Sequence, residues 1–216
     1  MRGEIFNMRF RQKDYKLEGV EEYIKNWSIE KYGCGPTSIA NILANYGYNV
    51  DPVYITKKII FDKEMSFDST YLREKGINYK GLIYALDRLI KEDKFDIEYE
   101  IVRVDFDNPE KVKDKVIGLI KKGYMAIIHV GPSDVSPYTF SNYGHYLVIS
   151  DIDKNDNFYV INSNKVGDNQ INTTYSYEII IKNMFGRKDS FNFLFIKNRN
   201  ENIKKQEDIN EKRRAL

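Results

Sequence analysis

Apolar residues recur at helical spacing through the first half of the chain and at strand spacing through the second. Ile39, Ile42, Leu43 and Tyr46 share one face of an α-helix. Pro36 suits the first position of that helix, Thr37 or Ser38 its first turn, and Gly47 its stop. Asp51-Pro52 reads as an N-cap and first residue opening a second helix through about Phe61. Leu82, Leu86, Leu89 and Ile90 mark a third. Asn108-Pro109 opens a fourth, with Val112, Val116, Leu119 and Ile120 inward and Gly123 at its end. Before them, Gly19 to Trp27 reads as one amphipathic turn or helix.

Strand patterns follow. Val102, Val104 and Phe106 alternate with Arg103 and Asp105, as in a half-buried strand. Residues 124–130, 146–151, 158–162 and 191–196 are short apolar runs rich in β-branched or aromatic residues. The polar run Asp153 to Asn157 between two of them predicts a hairpin. Helices first and a mostly antiparallel sheet afterwards make an α+β plan. No repeat or low-complexity linker divides it, so residues 1–197 read as one domain. Residues 198–216, charged and nearly devoid of apolar side chains, read as a mobile tail.

Composition narrows the classes. The length, 216 residues, allows a sizeable core. A charge balance of 34 − 32 = +2 argues against a protein built to coat nucleic acid. No apolar run approaches the roughly 20 residues of a membrane helix, so no membrane insertion is expected. The charged start, MRGEIFNMRFRQKD, lacks a signal-peptide core, which points to the cytoplasm, with non-classical release as the other route. One cysteine and two histidines exclude a disulfide framework and a Cys/His zinc cluster, so neither metal nor cofactor is expected.

A single cysteine can still be a nucleophile. Cys34 lies in Tyr32-Gly33-Cys34-Gly35-Pro36-Thr37-Ser38, at the predicted start of a helix. There the partial positive charge and unsatisfied N–H groups favour thiolate and can hold an oxyanion. Gly33 and Gly35 remove side-chain bulk, which would let a substrate backbone approach. A small cysteine buried at a helix start is the alternative role. The base must be His129 or His145. His145 heads an apolar strand after a long polar loop, whereas His129 lies inside one, so His145 is the expected base. Asn162, at the end of the neighbouring strand, or Asn164 could accept the imidazole N–H and fix its tautomer.

Three runs, Tyr32-Gly-Cys-Gly-Pro-Thr-Ser-Ile-Ala-Asn-Ile-Leu, Gly144-His-Tyr-Leu-Val-Ile-Ser and Tyr159-Val-Ile-Asn, give the chain a family resemblance. From about Arg11 to Ile196 it resembles the papain-like cysteine peptidases that process double-glycine bacteriocin leaders, and their stand-alone relatives most of all. The resemblance implies a papain-like fold, with the N-terminal helical part packed on the sheet. It implies Cys34 as nucleophile, His145 as general base and acid, and Asn162 as orienting residue. Relatives more often carry Asp-Pro where this chain has Asn162-Ser163. An upstream glutamine that donates to the oxyanion is matched by Gln12, with Asn26 and Ser28 as nearer substitutes. The implied reaction is acyl transfer through a thioester on a peptide, an isopeptide or a cell-wall peptide. Tyr143 and Gly144 belong to a loop, residues 131–144, expected to line the substrate groove. A peptide- or protein-binding module of the same fold without turnover is the competing expectation.

Overall fold

The computed structural model describes residues 10–15, 28–60, 72–73, 76–132, 140–164, 173–184 and 192–200. A 3-10 turn at Gln12–Asp14 comes first. Helices α1 (Ile29–Tyr32), α2 (Cys34–Asn45) and α3 (Pro52–Ile60) follow. Next come a minimal hairpin of β1 (Leu72–Arg73) and β2 (Gly76–Ile77), then α4 (Tyr79–Lys91). Strand β3 (Ile97–Arg103) precedes a 3-10 turn at Pro109–Val112 that runs into α5 (Lys113–Lys121). The remainder is β4 (Met125–Val130), β5 (His145–Ile152), β6 (Phe158–Ile161), β7 (Thr174–Tyr175), α6 (Tyr177–Met184) and β8 (Asn192–Asn198). The helix expected over 19–27 and most of the tail lie outside the described residues. Strand β8 runs to Asn198, one residue past the expected domain boundary.

Six strands form one antiparallel sheet in the order β3-β8-β4-β5-β6-β7. The N-terminal helices pack on one face as expected, and α5 and α6 cover the other. Met125, Ile127, Tyr146, Val148, Ile161, Leu194 and Ile196 share a core with Ile39, Ile42 and Leu43 of α2, Ile55 and Ile59 of α3, and Leu82, Leu86 and Leu89 of α4. On the opposite face Ala126, Ile128, Leu147, Ile149, Val160, Phe193 and Phe195 meet Val116 and Ile120 of α5 and Ile180, Ile181 and Met184 of α6. Alternate residues of each strand thus enter two different cores. That is why β4, β5 and β8 read as unbroken apolar runs rather than as alternating ones.

Local chemistry fixes the ends of the helices. Asp51 Oδ1 accepts from the Tyr54 N–H at 2.7 Å, so this aspartate caps α3 as expected. Asn78 does the same for α4 through the Gly81 N–H at 3.1 Å. Gly47, at φ +89°, takes the left-handed turn that ends α2. The helix expected after Asn108 opens as the 3-10 turn and becomes α only from Lys113. β3 spans 97–103 rather than 102–106, because it is bounded by its pairing with β8, Ile97 opposite Asn198 and Arg103 opposite Asn192.

Candidate active site

Cys34 sits where two helices meet. Ser28 caps α1 by accepting from the Lys31 N–H at 3.3 Å, and α1 ends at Gly33, whose N–H donates to Ile29 O at 2.8 Å. Gly33 is also the N-cap of α2, and its carbonyl accepts from the Thr37 N–H at 3.0 Å. Cys34 is therefore the first residue of a twelve-residue helix, partly buried, among first-turn amides that lack acceptors within the helix. Pro36, expected at the first helical position, lies in the same first turn two residues later.

The flanking glycines serve packing. A Cβ on Gly33 would lie 2.6 Å from Ile29 Cγ2 and 2.7 Å from Ile29 Cα. One on Gly35 would lie 2.7 Å from Leu82 Cδ2 and 3.3 Å from Tyr146 Cδ2. At both positions a side chain would meet the protein itself. The same contact sets the site's geometry, because α2 packs on β5 and Gly35 abuts Tyr146. The residues next to Cys34 and next to His145 touch, so the helix start and the strand start share one end of the molecule.

His145 is the first residue of β5 and is buried. Asn162 follows the last residue of β6, also buried, and its Oδ1 lies 2.9 Å from His145 Nε2. Two neighbours fix which end of the Asn162 amide is oxygen. Its Oδ1 also accepts from the Asn164 backbone N–H at 3.1 Å, which can only donate. Its Nδ2 donates to Phe140 O at 3.4 Å. An oxygen facing the imidazole requires Nε2 to carry a proton, so in the neutral ring the lone pair is on Nδ1. Burial pushes the imidazole down to about 4, only partly opposed by the bond to Asn162, so the ring is uncharged at neutral pH. Nδ1 lies 3.3 Å from Asn164 Nδ2.

The loop before His145 is held from behind. Buried Asn183 on α6 accepts from the Phe140 N–H at 3.3 Å through Oδ1 and from the Gly131 N–H at 3.2 Å through its carbonyl. Residues 133–139, with Tyr138, lie outside the described set. Tyr143 is 80% exposed and Gly144 directly precedes the histidine. His129 stacks on Tyr146 with ring centroids 4.5 Å apart and lines an apolar cavity with Leu82, Ile127 and Leu194.

Gln12 comes to the site by non-local contacts. It is buried, its N–H donates to Ser163 O at 3.2 Å, and its Nε2 donates to Glu30 O at 3.2 Å. Its Oε1 has no hydrogen-bond partner among the described residues. The N-terminal segment is tied to α2 by Asn41, whose amide accepts from the Phe10 N–H and donates to Phe10 O, both at 3.0 Å. Of the substitutes for Gln12, Ser28 accepts the Lys31 N–H through its hydroxyl oxygen as the α1 cap, and Asn26 lies outside the described residues. Asn41 and Asn183 were missed in the sequence, where nothing separates a buried bridging amide from a surface one.

Among the described residues no group of three or more histidine, cysteine or carboxylate side chains could hold a metal ion, and no helix is long and apolar enough to cross a membrane. Comparison with known proteins places the chain beside peptidase-like relatives. The model of the Peptidase_C39 like family matches residues 10–190. A crystal structure described as that of a C39-like peptidase from Bacillus anthracis shares the fold, with a TM-score of 0.52, 15% identity, and coverage of 89% of this chain and 96% of that one. No curated protein matches.

Proposed function

The chain belongs to the Peptidase_C39 like family, and from that premise we propose that it hydrolyses peptide bonds with Cys34, His145 and Asn162 as a triad. One observation carries this reading. Asn162 holds a buried, neutral imidazole with its lone pair on Nδ1, at the head of the strand against which the helix of Cys34 begins.

The chemistry follows from those positions. Nδ1 takes the thiol proton as Sγ forms a bond to the amide carbon and the carbonyl π pair moves onto oxygen. The resulting oxyanion is held by the Cys34 N–H and by the second N–H of Gln12, the first being spent on Glu30 O. A donor of this kind is worth about 3 kcal/mol of barrier. The C–N bond then breaks, and the amine leaves with the proton from Nδ1. A thioester remains. Water attacks it, giving its proton to Nδ1, and the thiolate departs and recovers that proton. Throughout, Asn162 keeps the ring in one tautomer and orientation.

In this reading residues 1–197 form one catalytic domain, and Tyr143 and Gly144 border the substrate groove. The substrate is a peptide, with isopeptides and cell-wall peptides as narrower candidates. The test is a fluorogenic peptide and peptidoglycan-fragment screen with Cys34→Ala as control. Turnover lost in that variant supports the reading, and turnover that survives it refutes the assignment of the nucleophile.

A binding module without turnover is favoured by one feature, the amide already seated on Nδ1. Iodoacetamide separates the two. A peptidase thiol alkylates with a midpoint well below the roughly 8.5 of a free thiol, and a binding module does so at or above it.

A further inference from the structure

Both ring nitrogens of His145 are occupied. Nε2–H donates to Asn162 Oδ1 at 2.9 Å, and Asn164 Nδ2 lies 3.3 Å from Nδ1. The tautomer established by Asn162 makes Nδ1 an acceptor, so the Asn164 amide donates to it. That lone pair is the one a thiol proton must enter. A base whose lone pair is already hydrogen-bonded must exchange that partner before it can work.

Asn164 is built for such an exchange. Its backbone N–H is bonded to Asn162 Oδ1 at 3.1 Å, so its main chain helps to hold the orienting amide still. Its side chain lies at the exposed edge of the site, beside buried Asn162 and Ser163. Rotation about its side-chain bonds would uncap Nδ1, leave the backbone bond in place, and return the amide to water at the cost of one long hydrogen bond. The buried partner has no such freedom, since both ends of the Asn162 amide are bonded. One residue thus serves the imidazole in two ways, fixing it through the main chain and capping it through the side chain.

We propose that Asn164 is a positioning residue that reversibly caps His145 Nδ1, so that the nucleophile is armed only when this amide swings away. The proposal rests on the triad reading above.

The test uses Asn164→Ala and the near-isosteric Asn164→Leu in the full chain, with two readouts. The first is the 15N resonance of His145 Nδ1 in histidine-labelled protein, which involves no turnover. Loss of the cap moves it to higher frequency in both variants. The second is the rate of Cys34 alkylation by iodoacetamide at neutral pH, expected to rise by about fivefold, the worth of one neutral hydrogen bond. An Nδ1 resonance that stays in place in both variants overturns the cap, whatever the alkylation rate. A resonance that moves while a reactive thiol keeps its rate overturns the arming role. If Cys34 is inert in the wild type and in both variants, the triad reading fails with it, and the resonance still reports whether Asn164 sits on the ring. Because Asn164 is exposed, neither variant removes core packing.

Discussion

Protonating His145 should weaken the fold, and by an amount the structure sets. The ring is buried and its titration is pushed to about 4, from an ordinary value of 6.5. In the unfolded chain the imidazole takes a proton near 6.5, and in the folded chain it resists until about 4. Between those values the unfolded state binds the extra proton, so stability falls as pH falls. The stabilising contribution is present in full above about 6.5 and is spent by about 4. Two and a half pH units correspond to ~3 kcal/mol, of which ~2 kcal/mol should be gone by pH 5. The measurement is urea unfolding followed by circular dichroism at pH 7, 5 and 4, on the wild type and on His145→Gln. Carboxylates held low by their partners, such as Glu178 at about 2 beside Ser176 and Lys113, lose their contribution at lower pH and in both proteins alike. The wild type should lose ~3 kcal/mol more than the variant between pH 7 and 4. Parallel losses would refute the buried neutral imidazole. A wild type that gained on the variant as pH fell would indicate an imidazolium paired with the thiolate.

Gly33→Ala should destabilise by about 3 kcal/mol and Gly35→Ala by about 1 kcal/mol. The first Cβ runs into the backbone of Ile29, the second into the movable end of Leu82. Thermal or urea midpoints check the order, and a milder Gly33→Ala would contradict it. Asn41→Ala should cost ~2 kcal/mol by deleting both bonds to Phe10. It should also raise hydrogen exchange over residues 10–15 and lower kcat/KM about as far as Gln12→Ala does. Unchanged exchange would show that Asn41 does not tether the segment carrying Gln12.

Much of this architecture could be read from local pattern. The apolar face of α2, its stop at Gly47 and the cap at Asp51 are each set within a few residues. The turn from Asp153 to Asn157 is similarly local: Asp153 Oδ1 accepts from the Asn155 and Asn157 N–H groups at 2.8 and 2.9 Å. α6 was missed because the run Ile179-Ile180-Ile181 favours a strand by propensity. Its signal was present nonetheless, since Tyr177, Ile180, Ile181 and Met184 fall on one helical face and are buried. The bounds of β3 were unreadable for a different reason. Glu98 and Glu100 break its apolar pattern, and its register comes from a partner about a hundred residues away. At the site, the sequence offered Asn162 and Asn164 as rivals for one nitrogen, and the structure puts them on different ones. The burial of Gln12 depends on Ser163 O and Glu30 O, which no local pattern announces.

The sheet's last strand in sequence lies in its interior. β8 separates β3 from β4, and the Tyr46 hydroxyl, just past the far end of α2, donates toward Ile196 O and Gly123 O, each at 3.0 Å. While the ribosome still holds residues 192–198, β3 has no neighbour and that helix lacks its anchor. A nascent chain therefore carries Cys34 before the sheet that seats its helix is complete, and the two cores close only once the chain's last strand has been made.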